Sequence, residues 1–237
     1  MSTKQEQIVA MFNDIAPTYD TANRILSMGA DIGWRRQGCA KALMALKTHE
    51  NLHIVDVATG TGDMLLHWRN ASQKVSQPIA TYTGIDPAEG MLAVAKEKVN
   101  FASFITAQAQ NIPLENDSCD AISIAYGIRN VVNHSEAFKE FARILRSGGV
   151  VLILEFTPVK RHGIMGGIVD FYLDKVLPFI GGVISRRFDA YRYLPDSIEE
   201  FSSKEKLCSE LEEAGFSILT TESMSFDIST MILAQKK

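Results

Sequence analysis

Cysteine is scarce in this 237-residue chain. Cys39, Cys119 and Cys208 are odd in number and about 80 residues apart. Neither a disulfide framework nor a CxxC metal site can be built from them, so a reducing compartment, the cytoplasm, is expected. The five histidines read as surface or packing residues rather than ligands, and no metal is expected. Charge of one sign is lacking too. With 24 basic against 28 acidic residues the net charge is −4, which carries no electrostatic footprint for nucleic acid. Long apolar runs are missing: the greasiest stretch, Ile164–Ile184, is interrupted by Asp170, Asp174, Lys175 and Pro178. A bilayer core needs about 20 mostly apolar residues, so this segment is not expected to span. The first residues, MSTKQEQIVAMF, are too polar for a secretory signal. No repeat and no low-complexity linker divides the chain.

What remains is average: 46% hydrophobic and 22% charged residues. A chain of this length buries roughly 70–75% of its unfolded surface and needs no staple. One domain over 1–237 is expected, with a helical N-terminal extension over 1–47 and an insertion over 158–200, where Pro158, Pro178, Pro195 and two Gly-Gly pairs break the pattern. Between them the chain alternates. Leu52–Ala58, Ala80–Asp86, Phe101–Ala107, Ala121–Tyr126 and Val150–Phe156 read as strands, and 63–74 and Met91–Val99 as helices. Phe138, Phe141, Ala142 and Leu145 mark one helical face, with Ser147-Gly148-Gly149 as its stop. Such alternation predicts an α/β fold, a doubly wound, mostly parallel sheet. A helix with Leu207, Leu211 and Ala214 follows. The runs Ile218–Ser223 and Ile228–Ala234 are too close for a crossover, so they predict a C-terminal antiparallel hairpin.

The richest local chemistry is Asp56-Val57-Ala58-Thr59-Gly60-Thr61-Gly62-Asp63, directly after the first strand. Gly60 and Gly62 permit a sharp turn and close approach of a ligand to the backbone. A dinucleotide fingerprint needs a third glycine where Leu65 stands, and Asp63 would repel a pyrophosphate. The turn therefore suits a nucleoside without phosphates, though a purely structural strand-to-helix turn has the same sequence. Asp86, 24 residues past Gly62, stands where open sheets present an acid to ribose hydroxyls. It would equally serve as a helix cap. Gln108 and Ala109 follow the third strand and could bond and pack against an adenine, or line an ordinary loop. Together these residues outline a pocket for S-adenosylmethionine.

Four blocks go further. Tyr19-Asp20-Thr21-Ala22-Asn23 through Leu26-Ser27 to Trp34 is one. Tyr126-Gly127-Ile128-Arg129-Asn130-Val131 and Ala190-Tyr191-Arg192-Tyr193-Leu194 are two more. Arg143-Ile144-Leu145-Arg146-Ser147-Gly148-Gly149, running on to Leu154-Glu155-Phe156-Thr157, is the fourth. In these blocks the chain resembles the ubiquinone/menaquinone biosynthesis C-methyltransferase family over nearly its whole length. It departs from the family pattern at Ala22 (usually Met), Asp31 (usually His), Arg146-Ser147 (usually Lys-Pro) and Ala125 (usually small and polar). The resemblance implies a class I, Rossmann-like methyltransferase with S-adenosylmethionine contacts at Thr61, Asp86, Gln108 and Ala109. It also implies a reduced, prenylated, demethylated quinol as substrate, either the menaquinone or the ubiquinone precursor.

Ring-carbon methylation needs an electron-rich ring oriented on a sulfonium methyl, with no metal. Arg129 is the candidate to stabilise phenolate charge and position a water that takes the ring proton, since arginine itself stays protonated. The competing reading is a structural ion pair with Asp120 or Glu155. Asn130 would orient the quinol oxygen. Tyr19, Tyr126, Tyr191 and Tyr193 would wall the ring or pack the core. Ile164, Ile168, Phe171, Val176 and Phe179 would cover the isoprenoid tail, touch a membrane surface transiently, form a homodimer contact or join the core. Rivals are a methyltransferase acting on another small lipid or phenol, and a non-catalytic quinone or nucleoside binder. A nicotinamide-dependent dehydrogenase is disfavoured by Leu65 and Asp63.

Overall fold

Alternating branched residues build the sheet. In β1 (Leu52–Val57) Leu52 and Ile54 enter one core while Val55 and Val57 enter another. In β5 (Leu145–Glu155) Val150, Leu152 and Leu154 alternate in the same way with Val151 and Ile153. Strands apolar on both faces must be covered on both faces, which is the condition for parallel strands. The computed structural model describes residues 3–46, 51–159, 166–167, 169, 171–185 and 187–237.

Three helices, α1 (Lys4–Ile15), α2 (Tyr19–Leu26) and α3 (Ala30–Ala45), precede β1. Then come α4 (Asp63–Val75), β2 (Ile79–Asp86), α5 (Glu89–Lys98), β3 (Ser103–Thr106), β4 (Cys119–Ala125), α6 (His134–Ile144) and β5. A π-helical turn at Tyr172–Val176 leads into α7 (Leu177–Ser185), α8 (Phe188–Glu199) and α9 (Lys204–Glu213). The chain closes with β6 (Phe216–Met224) and β7 (Ser229–Lys236). The seven strands lie in the order β3-β2-β1-β4-β5-β7-β6. β1 to β5 pair in parallel, and β7 runs antiparallel between β5 and β6. This is the sheet and terminal hairpin that the sequence predicts.

One face of the sheet packs on Trp34 and Leu43 of α3 and Trp68 of α4. The other packs on Phe138 and Phe141 of α6 and Leu207 and Leu211 of α9. A satellite cluster joins Ala22 and Leu26 of α2 to Leu177 of α7. α1 starts with a capping box, Thr3 accepting from the Glu6 amide and Glu6 from the Thr3 amide, which satisfies two otherwise orphaned donors.

Two boundaries differ from the sequence expectation. The helical face ends at Ile144, and Leu145 already belongs to β5, where it pairs with Cys119. Ser147-Gly148-Gly149 therefore lies within a strand. A Cβ on Gly149 would stand 2.8 Å from the Asp120 carbonyl oxygen, so here glycine permits a close backbone approach rather than a helix stop. The third strand, at one edge of the sheet, is shorter than expected and covers Ser103–Thr106, the residues that pair with Thr83–Asp86 of β2. Ile164, Ile168 and Asp170 lie outside the described residues.

Candidate active site

Because β1, β2, β3 and β4 are parallel, their carboxyl ends meet on one edge, and the loops that leave them line a narrow slot. β1 supplies Ala58 and Gly60, β2 supplies Asp86, β3 supplies Gln108 and Ala109, and β4 supplies Tyr126. Ala58 and Tyr126 adopt left-handed backbone at φ 50° and 60°, a strain that residues with a Cβ store mainly at functional sites. The two loops touch: a Cβ on Gly127 would stand 2.5 Å from the Ala58 Cβ, so only glycine fits there.

Asp86 organises this edge. Its Oδ2 accepts from the Gly60 amide at 2.8 Å and its Oδ1 from the Ala88 amide at 2.9 Å. Both readings of Asp86 are thus compatible, since each oxygen keeps a lone pair for a ligand hydroxyl. Asp56 has a different place. It is buried beneath the turn, accepting from Thr59 Oγ1 and Ser123 Oγ at 2.6 Å each, and does not line the slot. Ser123 in turn accepts from the Trp68 indole at 2.9 Å.

Thr61 and Gly62 also stand behind the slot. Thr61 donates to Asp20 and takes a bond from Lys98, while the Gly62 Cα faces Val99. Asp63 turns away from the ligand side: Lys98 holds it at 2.8 Å and Arg24 at 2.8 Å. The repulsion of phosphates argued from its position in the sequence is therefore muted by two cations. His53 has its ring nitrogens on Ser118 and Thr83, and among the described residues no cluster could hold a metal.

Burial raises Asp56 and Asp86 each from 3.8 to about 6. The folded state then holds these protons more tightly than the unfolded chain. Their stabilisation is complete below about pH 4 and is lost as pH climbs through 6. Asp56→Asn keeps the bonding shape without the buried charge. It is expected to raise the Tm above pH 7, by up to about 3 kcal/mol in stability, and by only about 1 kcal/mol at pH 4.5. Melting curves across that range check this; an equal change at both ends would refute it.

Beside the slot opens a larger, mostly apolar cavity of about 650 Å³, within the range typical of small-molecule sites. Tyr19, Phe12 and Tyr126 line both spaces. Tyr126 stacks on Phe156 at 4.7 Å and bonds Ser229 through its hydroxyl at 3.0 Å; burial pushes that hydroxyl up. Arg129 and Tyr193 belong to the larger cavity and Asn130 to the slot. Tyr193 donates to Asn130 Oδ1 at 3.1 Å, so a strut crosses the boundary. The Tyr191 side chain lies outside the described residues. Arg129 does make the structural ion pair, with Glu155 at 2.5 Å, and Nη1 also donates to the Tyr126 carbonyl at 2.9 Å. Asp120 pairs with Arg146 instead.

The chain matches the ubiE/COQ5 methyltransferase family over residues 1–236. It belongs to that family. The ubiquinone/menaquinone biosynthesis C-methyltransferase UbiE of Campylobacter jejuni is 52% identical over 233 residues, covering 98% of this chain and 99% of that one. The demethylmenaquinone methyltransferase of Thermus thermophilus is 41% identical over 212 residues, 88% of this chain and 92% of its own. Among solved structures, a SAM-dependent methyltransferase of Thermotoga maritima shares the fold at a TM-score of 0.61 and 19% identity, over 97% of this chain and 100% of that one. One from Aquifex aeolicus does so at 0.58 and 18%, over 84% and 89%. This ubiE/COQ5 family member is thus a methyltransferase, and the methyl donor expected from its sequence is S-adenosylmethionine.

The slot fits such a donor chemically: an acid with free lone pairs, exposed backbone at Gly60, and the apolar Ala88, Met91 and Val131 for a flat base. Its room, about 70 Å³, is less than a ligand needs because α1 stands in it. Ile8, Val9 and Phe12 fill the front, and Asn13 and Gln5 latch α1 to the Gly90 and Val132 amides. The sequence reading missed α1 in the slot, and missed Asp31 and Arg35 in the larger cavity. Asp31 and Arg35 carried a signal, opposite charges four residues apart on the face of α3 that also carries Trp34.

Proposed function

We propose that this chain methylates a ring carbon of a reduced, prenylated quinone precursor, a reading supported by its similarity to a ubiquinone/menaquinone biosynthesis C-methyltransferase and a demethylmenaquinone methyltransferase. The observation that carries the reading is the meeting of two spaces. A polar-edged slot suited to a nucleoside shares Tyr19 and Tyr126 with a larger apolar cavity that contains arginines. When bound, S-adenosylmethionine supplies a methyl group already activated on a sulfonium.

The chain's own residues do the rest. Asp86 and the Gly60 turn hold the ribose, and Gln108 and Ala109 meet the base. Thr61, Gly62 and Asp56 act from behind by fixing the turn. Tyr19 and Tyr126 set the ring at the boundary, with Tyr193 and Asn130 bracing it. The cavity keeps bulk water from the ring. Arg129 holds the ring oxygen as its phenolate, raising electron density at the carbon that reacts, and orders the water that removes the ring proton.

The segment 158–200 acts as the cap over this cavity: Tyr172, Leu177, Tyr193 and Leu194 form part of its wall. Met28 and Phe226 also line the cavity, 83% and 72% exposed, and Phe171 and Phe179 are exposed on the cap. Their apolar surface suits transient contact with a membrane, from which a prenylated substrate must come. Among the described residues no helix is long and apolar enough to cross one.

The test is direct. The chain is incubated with labelled S-adenosylmethionine and vesicles carrying either the reduced naphthoquinol or the reduced benzoquinol precursor, and the labelled lipid is identified. Label in the naphthoquinol ring is expected, with the benzoquinol as the second acceptor. Label in neither would overturn the reading. Co-sedimentation with the vesicles reads the membrane contact, and the mass in solution reports whether the exposed face is covered by a second copy instead.

A further inference from the structure

Among the described residues two arginines line the larger cavity, and they differ in how closely a carboxylate meets their charge. The Arg129 guanidinium lies 2.5 Å from Glu155 and also bonds the Tyr126 carbonyl. Arg35, on α3, has only 7% of its surface exposed. Among the described residues the one carboxylate within 4 Å of it is Asp31, at 3.5 Å. That same Asp31 oxygen already accepts from Arg24 at 2.6 Å, and the other accepts from Ser27 at 2.6 Å. Arg35 Nε has no hydrogen-bond partner, a lack that Arg129 Nε shares, so the two cations differ in how closely a carboxylate meets them. Burying a guanidinium with an unfilled donor costs free energy unless a partner arrives.

Position sharpens this. Arg35 Cζ lies 5.1 Å from the centroid of the Tyr126 ring, and Tyr126 stacks on Phe156, over which Arg129 lies at 5.6 Å. Each cation thus lies over one ring of an aromatic pair in the cavity wall. Both also pull down the Tyr19 hydroxyl, which burial otherwise raises, so both act on the boundary with the slot.

We propose that Arg35 is a second anion-binding group of the substrate cavity, taking one oxygen of a dioxygenated aromatic ring while Arg129 takes the other. This rests on the quinol reading above. It assigns the cavity a preference for rings with two ionisable oxygens over rings with one. Asp31 keeps Arg35 in place without neutralising it, because Arg24 shares the acid and ties it to Asp63 beside the cofactor turn.

Binding is measured by calorimetry under reducing conditions, with the chain saturated in S-adenosylhomocysteine. Two probes are used: a naphthalene-1,4-diol with one isoprenyl unit, and the matching 1-naphthol. The native chain is expected to favour the diol by about tenfold or more, the worth of one charge-assisted hydrogen bond. Arg35→Met should abolish that preference while binding the naphthol within about twofold of the native chain, and Arg35→Lys should restore part of it. Asp31 retains Arg24 and Ser27 in these variants, so the fold is expected to persist, with unchanged S-adenosylhomocysteine affinity as its readout. An undiminished preference for the diol in Arg35→Met would overturn the assignment and leave the quinol reading intact. Equal losses for both probes would overturn it too. A native chain that binds neither probe would remove the quinol reading and this assignment with it.

Discussion

Arg129→Gln is expected to lose more than tenfold in turnover and about 3–5 kcal/mol in stability, the usual cost of stripping one partner from a buried ion pair. The two side chains are 8% and 1% exposed, so the Glu155 carboxylate left behind has little access to water. Burial already pushes Glu155 above its ordinary range, and Arg129 is the first of the groups that oppose that shift. A drop in activity alone would therefore not distinguish a catalytic arginine from a structural one. The double variant Arg129→Gln with Glu155→Gln separates them. With the stranded charge removed, stability should return to within about 1 kcal/mol of the native chain, while turnover stays at least tenfold down and S-adenosylmethionine affinity is unchanged. Chemical denaturation, calorimetry and single-turnover rates read the three quantities. Recovery of turnover along with stability would show that Arg129 serves only as the partner of Glu155.

Asp86→Ala is expected to weaken S-adenosylmethionine binding about a hundredfold or more. The carboxylate holds the Gly60 and Ala88 amides and offers its remaining lone pairs to the ribose hydroxyls, each such bond to a charged acceptor being worth about 1.5–3 kcal/mol. Asp86→Asn should lose at least tenfold, because its amide nitrogen must face one of those donors. The native affinity should also fall as pH drops below about 6, where Asp86 takes up its proton, whereas the Asn variant should be flat through the same range. Calorimetry from pH 5 to 8 tests both statements. A native affinity that does not change with pH would remove Asp86 from the ribose site.

The sheet was legible because short apolar runs alternate with helical segments along the chain, and the hairpin because too few residues separate Ile218–Ser223 from Ile228–Ala234 for a crossover. Leu145 was misread because it continues the helical spacing of Phe138 and Phe141, and only its pairing with Cys119 places it in the sheet. Within the site, Gly60, Asp86, Gln108 and Ala109 could be found from their place after strands one to three. Asp56, Thr61 and Gly62 share that motif yet face inward, since which side of a tight turn a residue takes depends on left-handed φ values at Ala58, Gly60 and Gly62. Arg35 was invisible for another reason. A charged residue in an N-terminal helix ordinarily faces water, and nothing local reveals that α3 turns Asp31, Trp34 and Arg35 into a cavity shared with residues from the opposite end of the chain, Ser225 and Phe226.

The placement of β7 has a consequence for how the molecule is made. Residues 229–236 fill the gap between β5 and β6, so every other strand leaves the ribosome before the one that joins them. Until then β5 and β6 each present an unpaired edge, and such edges invite pairing with other nascent chains. A stop codon shortly before Ser229 would therefore leave the sheet open between β5 and β6, and aggregation during synthesis, rather than a trimmed but active enzyme, is its expected product.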